Sequence, residues 1–397
     1  MTNKKTDFFR TKKPWSLFKD EILEKYLLPY FQKIFSTNKQ VFYIDCFAGK
    51  GKFDDGNPGS PIIALDVVDI ALKSTKVNNP KITCFFIDDY YHEELTNNLD
   101  GRPNVNIVDG RFQDKIDNIL KKIGNGNVFL YIDPFGVCDL DMNWFDGLVK
   151  SDYYSIELLL NFQANGFFRL ACSAMDVTYV EGDPDDVYDY EEIKYFPKDK
   201  KVNTLDVIAG DSSWRQIVLE YKDGQIDGKE AEKRISRQYC ETLRRSFEYV
   251  LEMPISDNPA NKPKYRMIFA TKKRDGYLLM VEIMCKQIEK MKKVHSGGQL
   301  TFLYETIENV QYDPDEEKQY LLSLITKKKR ENITEIIAKY YQKRGLICCP
   351  ADLRKFVKDF EKNGIILVER EPEFCNNGKP STFLTEKNKQ SVKIVRK

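Results

Sequence analysis

The sequence predicts an α/β fold: a parallel sheet covered on both faces, followed by a small domain of helices and paired strands. Three observations predict it. Short, nearly continuous apolar runs alternate with helical patterns over the first two thirds of the chain, as strands buried on both faces require. Several of these runs end in an acidic residue followed by a small-residue turn. Beyond residue 312 the pattern changes to helix, helix, then two short strands around Gly378-Lys379-Pro380. At 397 residues the chain exceeds one typical domain of ~100–200 residues.

Residues 1–35 read as a polar, basic segment, expected to be loose over 1–14, and a helix. Leu17, Ile22, Leu23, Tyr26, Leu27, Tyr30, Phe31 and Ile34 recur at helical spacing over 16–35. Ser16 is the expected N-cap, Asp20 and Glu21 suit the positive helix end, and Pro29 should kink it. The α/β body is expected over 36–298. Strands are read at 41–44, 82–87, 105–108, 128–132 and 156–160, with a helix from Ser60 (N-cap) and Pro61 to about residue 72. Residues 173–200 hold nine acids and three lysines, so an exposed acidic insertion is expected at about 173–230. A helix at 229–249, a strand at 265–271 and a helix at 276–293 complete the body. In 312–397, helices carry Ile333, Ile336, Ile337 and Tyr340, then Leu353, Phe356, Val357 and Phe360, with Gly364 as the stop. Strands at 365–368 and 381–384 give the layout of a winged helix-turn-helix.

Composition excludes several classes. Lys and Arg number 62 against 61 Asp and Glu, a net charge of +1, so the chain is not a uniformly basic nucleic-acid coat. Mean hydropathy is −0.51, and no run reaches the ~18 apolar residues of a membrane span. The first residues lack the apolar stretch of a secretory signal. Nine cysteines without a CxxC pair and only two histidines give no disulfide framework and no metal-site spacing. A cytoplasmic protein with reduced thiols and no metal is expected.

The chemistry concentrates at the strand ends. The first strand runs into Asp45-Cys46-Phe47-Ala48-Gly49-Lys50-Gly51, where glycines let backbone approach a ligand. Later strands end in Asp88-Asp89, Asp109-Gly110 and Asp133-Pro134-Phe135-Gly136. Ligands of open α/β sheets bind at such carboxyl ends, which points to a nucleoside cofactor. The turn lacks the full G-x-G-x-x-G and the chain has no G-x-x-x-x-G-K-[ST]. Asp45 would repel a pyrophosphate and suits the ammonium and sulfonium of S-adenosylmethionine (SAM).

The segment 45–51 resembles motif I of class I SAM-dependent methyltransferases, which have a Rossmann-like fold. More narrowly, the chain resembles the three-Cys-motif partner protein family. The resemblance rests on Lys19-Asp20-Glu21-Ile22-Leu23 with Tyr26-Leu27, Tyr43-Ile44-Asp45, Phe47-Ala48-Gly49 and Gly51, Gly59-Ser60-Pro61 and Ala64-Leu65. Asp133-Pro134-Phe135-Gly136, Glu157-Leu158 with Asn161, and Phe269-Ala270-Thr271 continue it. It implies that Asp45, Phe47, Ala48, Gly49 and Gly51 form the loop on the methionine side, with Asp88 at the ribose and Asp109 at the adenine. Asp133, Pro134 and Phe135 would be the catalytic loop over the transferred methyl. In adenine-amine methyltransferases the similar motif has two prolines, accepts from the target amine and stacks an aromatic on the flipped base; Asp133-Pro134-Phe135-Gly136 has one proline, so the resemblance leaves the amine role open and implies an aromatic platform at Phe135. The resemblance also implies a separate partner protein bearing a three-cysteine motif.

Charge is unevenly spread. Residues 327–397 hold 18 Lys and Arg against 9 Asp and Glu, a net of +9, which leaves −8 for residues 1–326. Arg354, Lys355 and Lys358 on the second helix of this tail are the expected contacts to DNA or RNA. The alternative is a non-catalytic scaffold that senses SAM or a nucleotide and uses its winged domain to bind DNA or protein.

Overall fold

The computed structural model describes residues 9–179, 197–256, 262–295, 312–386 and 390–397. The chain divides into two compact units, residues 1–273 and 274–397. The first is built on strands β1 (Val41–Asp45), β2 (Ile82–Asp88), β3 (Val105–Asp109), β4 (Asn127–Ile132), β5 (Ser155–Phe162), β6 (Tyr249–Ile255) and β7 (Tyr265–Thr271). They form one sheet in the order β3-β2-β1-β4-β5-β7-β6. The first five are parallel, and β7 runs antiparallel to both β5 and β6. This is a mostly parallel α/β sheet of Rossmann-like type. Every residue of β4 and β5 is buried, which is why these strands read as unbroken apolar runs.

Nine helices are described in this unit: α1 (Pro14–Phe35), α2 (Ser60–Ser74), α3 (His92–Asn98), α4 (Phe112–Leu120), α5 (Met142–Leu148), α6 (Ala164–Ala174), α7 (Lys198–Ala209), α8 (Trp214–Lys222) and α9 (Gly228–Leu243). Two expected caps move. Extended Lys13 precedes α1, so Pro14 and not Ser16 opens it, and extended Gly59 precedes α2 in place of Ser60. Proline suits the first helical turn because its missing N–H would have no partner there.

Three further expectations are corrected. Residues 9–13 are not loose: Phe9 is buried, and Asp54 N donates to Phe9 O at 2.8 Å. The helix expected to reach 249 ends at Leu243, and Tyr249 opens β6. Pro254 and Glu252 disguise β6 in the sequence; it is an edge strand, where a missing N–H is tolerated. The region 173–230 is not an exposed insertion as a whole. Leu205, Ile208, Trp214, Ile217 and Val218 of α7 and α8 join the core of this unit. Seven of the nine acids fall in 180–196, outside the described residues.

The second unit contains α10 (Arg274–His295), α11 (Pro314–Leu324), β8 (Glu331–Asn332), α12 (Ile333–Arg344), α13 (Pro350–Lys362), β9 (Ile366–Glu371) and β10 (Ser391–Arg396). The division after Lys273 groups α10 with this unit, where it packs on α12, whereas the sequence places it in the body through 298. The strands form an antiparallel sheet in the order β8-β10-β9. The strand expected at 381–384 is not formed; β10 pairs with β9 instead. Asn363 caps α13 and Gly364 follows with φ +69°, the left-handed stop that glycine favours. Among the described residues no helix is long and apolar enough to cross a membrane.

Candidate active site at the carboxyl ends of β1, β4 and β5

β1 lies between β2 and β4, so the chain turns to opposite sides of it in building the sheet. Ligands of open α/β sheets bind in the crevice at such a switch point. A cavity of about 480 Å³ opens there. Its floor is the turn after β1, with Phe47, Ala48, Gly49 and Gly51; Asp133, Pro134 and Phe135 after β4 form the facing edge. Asn161 and Gln163 close the β5 side, Lys264 and Tyr265 the β7 side, and Trp15, Ser16, Lys19 and Asp20 of α1 the roof.

The β1 turn is held by backbone bonds from Cys46 N to Tyr131 O (2.9 Å), Ala48 N to Ile87 O (3.0 Å) and Gly59 N to Gly51 O (2.8 Å). Gly49 (φ +60°) and Gly51 (φ +77°) adopt left-handed backbone, which side chains with a Cβ resist. A Cβ on Gly49 would also lie 2.7 Å from Phe9 Cζ. Phe9 rests on this turn, edge-on to Tyr91 (4.8 Å) and Phe135 (6.4 Å).

Asp45 ends β1, fully buried behind the turn and, like Asp88 and Asp109, outside the cavity lining. Phe47 N donates to Oδ1 at 3.3 Å, while Oδ2 has no well-aligned donor. Burial pushes the carboxyl up to about 7; the Ser60 hydroxyl and Phe47 N–H oppose this, and the charges of Asp133 and Asp88 reinforce it.

Asp88 takes Gly49 N on Oδ2 (2.8 Å) and Tyr90 N (2.9 Å) and Tyr91 N (2.7 Å) on Oδ1. It staples the β1 and β2 loops together, beside the cavity but not in its lining. Asp109 is paired in register with Asp88, is exposed, and does not line the cavity either.

Asp133 is the centre of a network. Lys19 Nζ donates to Oδ1 (3.0 Å) and Oδ2 (2.8 Å), Asn161 Nδ2 to Oδ1 (2.6 Å), and Tyr131 OH lies 3.4 Å from Oδ2. Lys19 is 4% exposed and sits 4.5 Å from the Tyr265 ring centroid, a cation–π distance. Burial works against its ammonium, yet Asp133, with help from Tyr265 and Asp20, outweighs burial and holds it above its ordinary range. Burial, then the Asp133 charge, pushes the Tyr131 phenol far up. Gln163 Nε2 donates to Phe135 O at 3.1 Å and fixes the loop. The helix bearing Lys19 is itself pinned to the sheet. Tyr26 OH donates to Glu157 Oε2 (2.5 Å), and Thr271 Oγ1 to Oε1 (3.2 Å).

Sequence reasoning therefore points to the Asp133 loop and the β1 turn, and the fold brings them to one cavity. It assigns no role to Lys19, Asn161, Gln163, Tyr265 or Phe9. Two signals were available: Lys19 and Asn161 stand among the residues that carry the resemblance, and Lys19 falls on the apolar stripe of α1, three, four and seven residues before Ile22, Leu23 and Tyr26. The predicted nucleic-acid residues lie in the second unit on α13. Arg354 pairs with Glu282 (3.6 Å) and Lys355 with Asp352 (3.0 Å), while Lys358 is exposed. Among the described residues no cluster of His, Cys, Asp and Glu could hold a metal ion.

No protein-family model matches the chain, and no curated protein matches it. Among solved structures, Trm1 from Pyrococcus horikoshii with S-adenosyl-L-methionine is 12% identical, covering 82% of this chain and 89% of that one at TM-score 0.35. Spermidine synthase from Thermotoga maritima is 11% identical, covering 74% and 76% at 0.32. The plantazolicin methyltransferase BamL in complex with a desmethylPZN analog and SAH is 10% identical, covering 64% and 86% at 0.29.

Proposed function

We propose that the first unit is a SAM-dependent methyltransferase domain whose cofactor site is the cavity over the β1 turn. One observation carries the reading. A buried carboxylate, Asp45, stands behind a left-handed glycine turn at the switch point, with one oxygen lacking a well-aligned donor. Such a group favours a cationic ligand over a phosphate. SAM would supply an activated methyl on a sulfonium, so the protein needs chiefly to position two molecules. Gly49 and Gly51 would let backbone approach the methionine side, Asp45 would offset its positive charge, and Asp88 would hold the ribose side of the turn. Asp133, Pro134 and Phe135 would face the methyl acceptor.

The acceptor in this reading is nucleic acid. The C-terminal unit, read as a winged helix-turn-helix on α12, α13 and its three-stranded sheet, would hold the polyanion through Arg354, Lys355 and Lys358. A cytoplasmic location and a separate partner protein bearing a three-cysteine motif belong to the same reading. A non-catalytic sensor is the second reading, favoured by Phe9, whose ring already covers Gly49.

Calorimetric titration with SAM across pH tests the cofactor assignment. In the free protein the Asp45 carboxyl is pushed up to about 7, and a bound cation favours its charged form. Affinity should therefore be full at pH 8 and fall as pH drops below about 7, by up to about tenfold per unit. Asp45→Asn should weaken binding and flatten the profile. Equal affinity at pH 6 and 8 would count against Asp45 as the cation's partner.

A further inference from the structure

We infer that the mouth of the cavity is a phosphate-binding surface, which grips a single strand of nucleic acid while one base enters the cavity. The inference deepens the proposed function and rests on it for what the cavity does. It starts from charge. The lining holds five cations against two acids. Both acids are already paired, Asp133 with Lys19 at 2.8 Å and Asp20 with Lys12, which lies outside the lining. The other lining charges, Arg10, Lys13, Lys52 and Lys264, are all positive, although residues 1–326 carry a net charge of −8. Arg10, Lys13 and Lys52 are exposed and Lys264 is half-buried, so this charge stands at the entrance, outward of the buried Lys19. Neither Lys13 nor Lys52 has an ion pair with a described residue.

Backbone bonds fix where these cations stand. Lys52 begins a small closed loop: it bridges Pro58, and Phe53 N donates to Asn57 O at 2.9 Å. The segment carrying Arg10 and Lys13 is laid on that loop by Asp54 N to Phe9 O (2.8 Å) and Lys12 N to Asp55 Oδ2 (2.9 Å). The carboxylates of the loop are engaged, Asp54 by Lys50 Nζ at 3.3 Å and Asp55 by the Lys12 and Asn57 N–H groups. Cations held close together repel one another and gain most from a ligand with several negative charges. The one carboxylate of SAM cannot match four cations; successive phosphates can, and they release their counterions on binding. Trp15, Phe53 and Tyr265 stand among these cations, with Lys264 Nζ 5.6 Å from the Trp15 ring centroid. Aromatic rings set among cations are the pattern of single-strand binding. A duplex keeps its bases stacked inside and cannot offer one to a cavity of about 480 Å³, so the strand must be open or the base flipped.

Fluorescence anisotropy of a labelled single-stranded DNA oligonucleotide, titrated with the full chain over a range of salt, tests the surface. Lys13→Gln combined with Lys52→Gln should weaken binding about tenfold. It should also flatten the plot of log affinity against log salt, by about 0.7 per lost phosphate contact. Lys121→Gln, at an exposed lysine outside the lining, should change neither. No binding by the wild type, wild-type affinity and slope in the double variant, or an equal loss in Lys121→Gln would overturn the inference. SAM titrated calorimetrically into the same proteins separates the two readings. The double variant should keep the wild-type affinity for SAM; a loss for SAM with none for the oligonucleotide would give the lysines to the cofactor and overturn the inference. Failure of the wild type to bind SAM sinks the proposed function, while the anisotropy comparison still decides the surface.

Discussion

Replacing Arg266 with methionine is expected to lower the unfolding free energy of the first unit by about 3–5 kcal/mol, the cost of removing one member of a buried ion pair. Arg266 is 2% exposed and Glu232 is 1% exposed. They meet in two parallel bonds, Nε to Oε1 at 2.8 Å and Nη2 to Oε2 at 2.6 Å. Glu252 stands 3.7 Å from Nη1 and accepts from the Ser236 hydroxyl. Methionine fills much of the volume but takes both guanidinium bonds from the buried Glu232 carboxylate. The double change Arg266→Met with Glu232→Leu removes both charges and should recover most of the loss. Chemical denaturation of the wild type and the two variants checks this; a single variant as stable as the wild type would show that the pair carries no such load. The site is affected too. Arg266 pairs in register with Phe162, next to Asn161 and Met267, and directly follows Lys264 and Tyr265 of the cavity wall.

Replacing Lys19 with methionine is the second change of large effect. It should leave the fold in place, cost about 1–3 kcal/mol of stability and lower methyl transfer by about 100-fold, the penalty of a misplaced reacting group. The stability cost is set below that of Arg266 because the Asp133 side chain is 24% exposed and water can reach it. The activity cost is larger because Lys19 donates to both oxygens of Asp133, in the loop proposed to face the methyl acceptor. Transfer of label from SAM to RNA or DNA, followed with and without nuclease, measures it. Transfer at the wild-type rate would remove Lys19 from the site.

Much of this architecture is visible in the sequence, for identifiable reasons. Strands buried on both faces cannot alternate, so β4 and β5 announce themselves as apolar runs, and the acids that follow β1, β2 and β4 stand out at their ends. The short helices α3 to α5 and the edge strand β6 lack such contrast; Glu252 and Pro254 break the pattern that would have marked β6. The site is only half legible for a different reason. Asp133 and the glycine turn are local features, but the contacts that define their roles are distant. Lys19 reaches Asp133 across 114 residues of sequence, and Asn161 across 28. Asp88 shows the converse: its position after β2 suggests a ligand, yet most of its bonding capacity goes to the backbone of two loops. Phe9 follows Phe8 in an otherwise polar segment, an apolar pair too short to mark a buried ring.

The central claim is that the cavity over the β1 turn takes SAM, and a calorimetric titration of the full chain at pH 8 tests it most directly. Binding of one SAM per chain is predicted, with competition by S-adenosylhomocysteine. Gly51→Asp should abolish it, since aspartate strains the left-handed backbone at φ +77° and its Cβ would crowd Leu95 Cδ1 at 3.1 Å. Absence of heat and of any competing ligand effect in the wild type, with Gly51→Asp indistinguishable from it, would contradict the account.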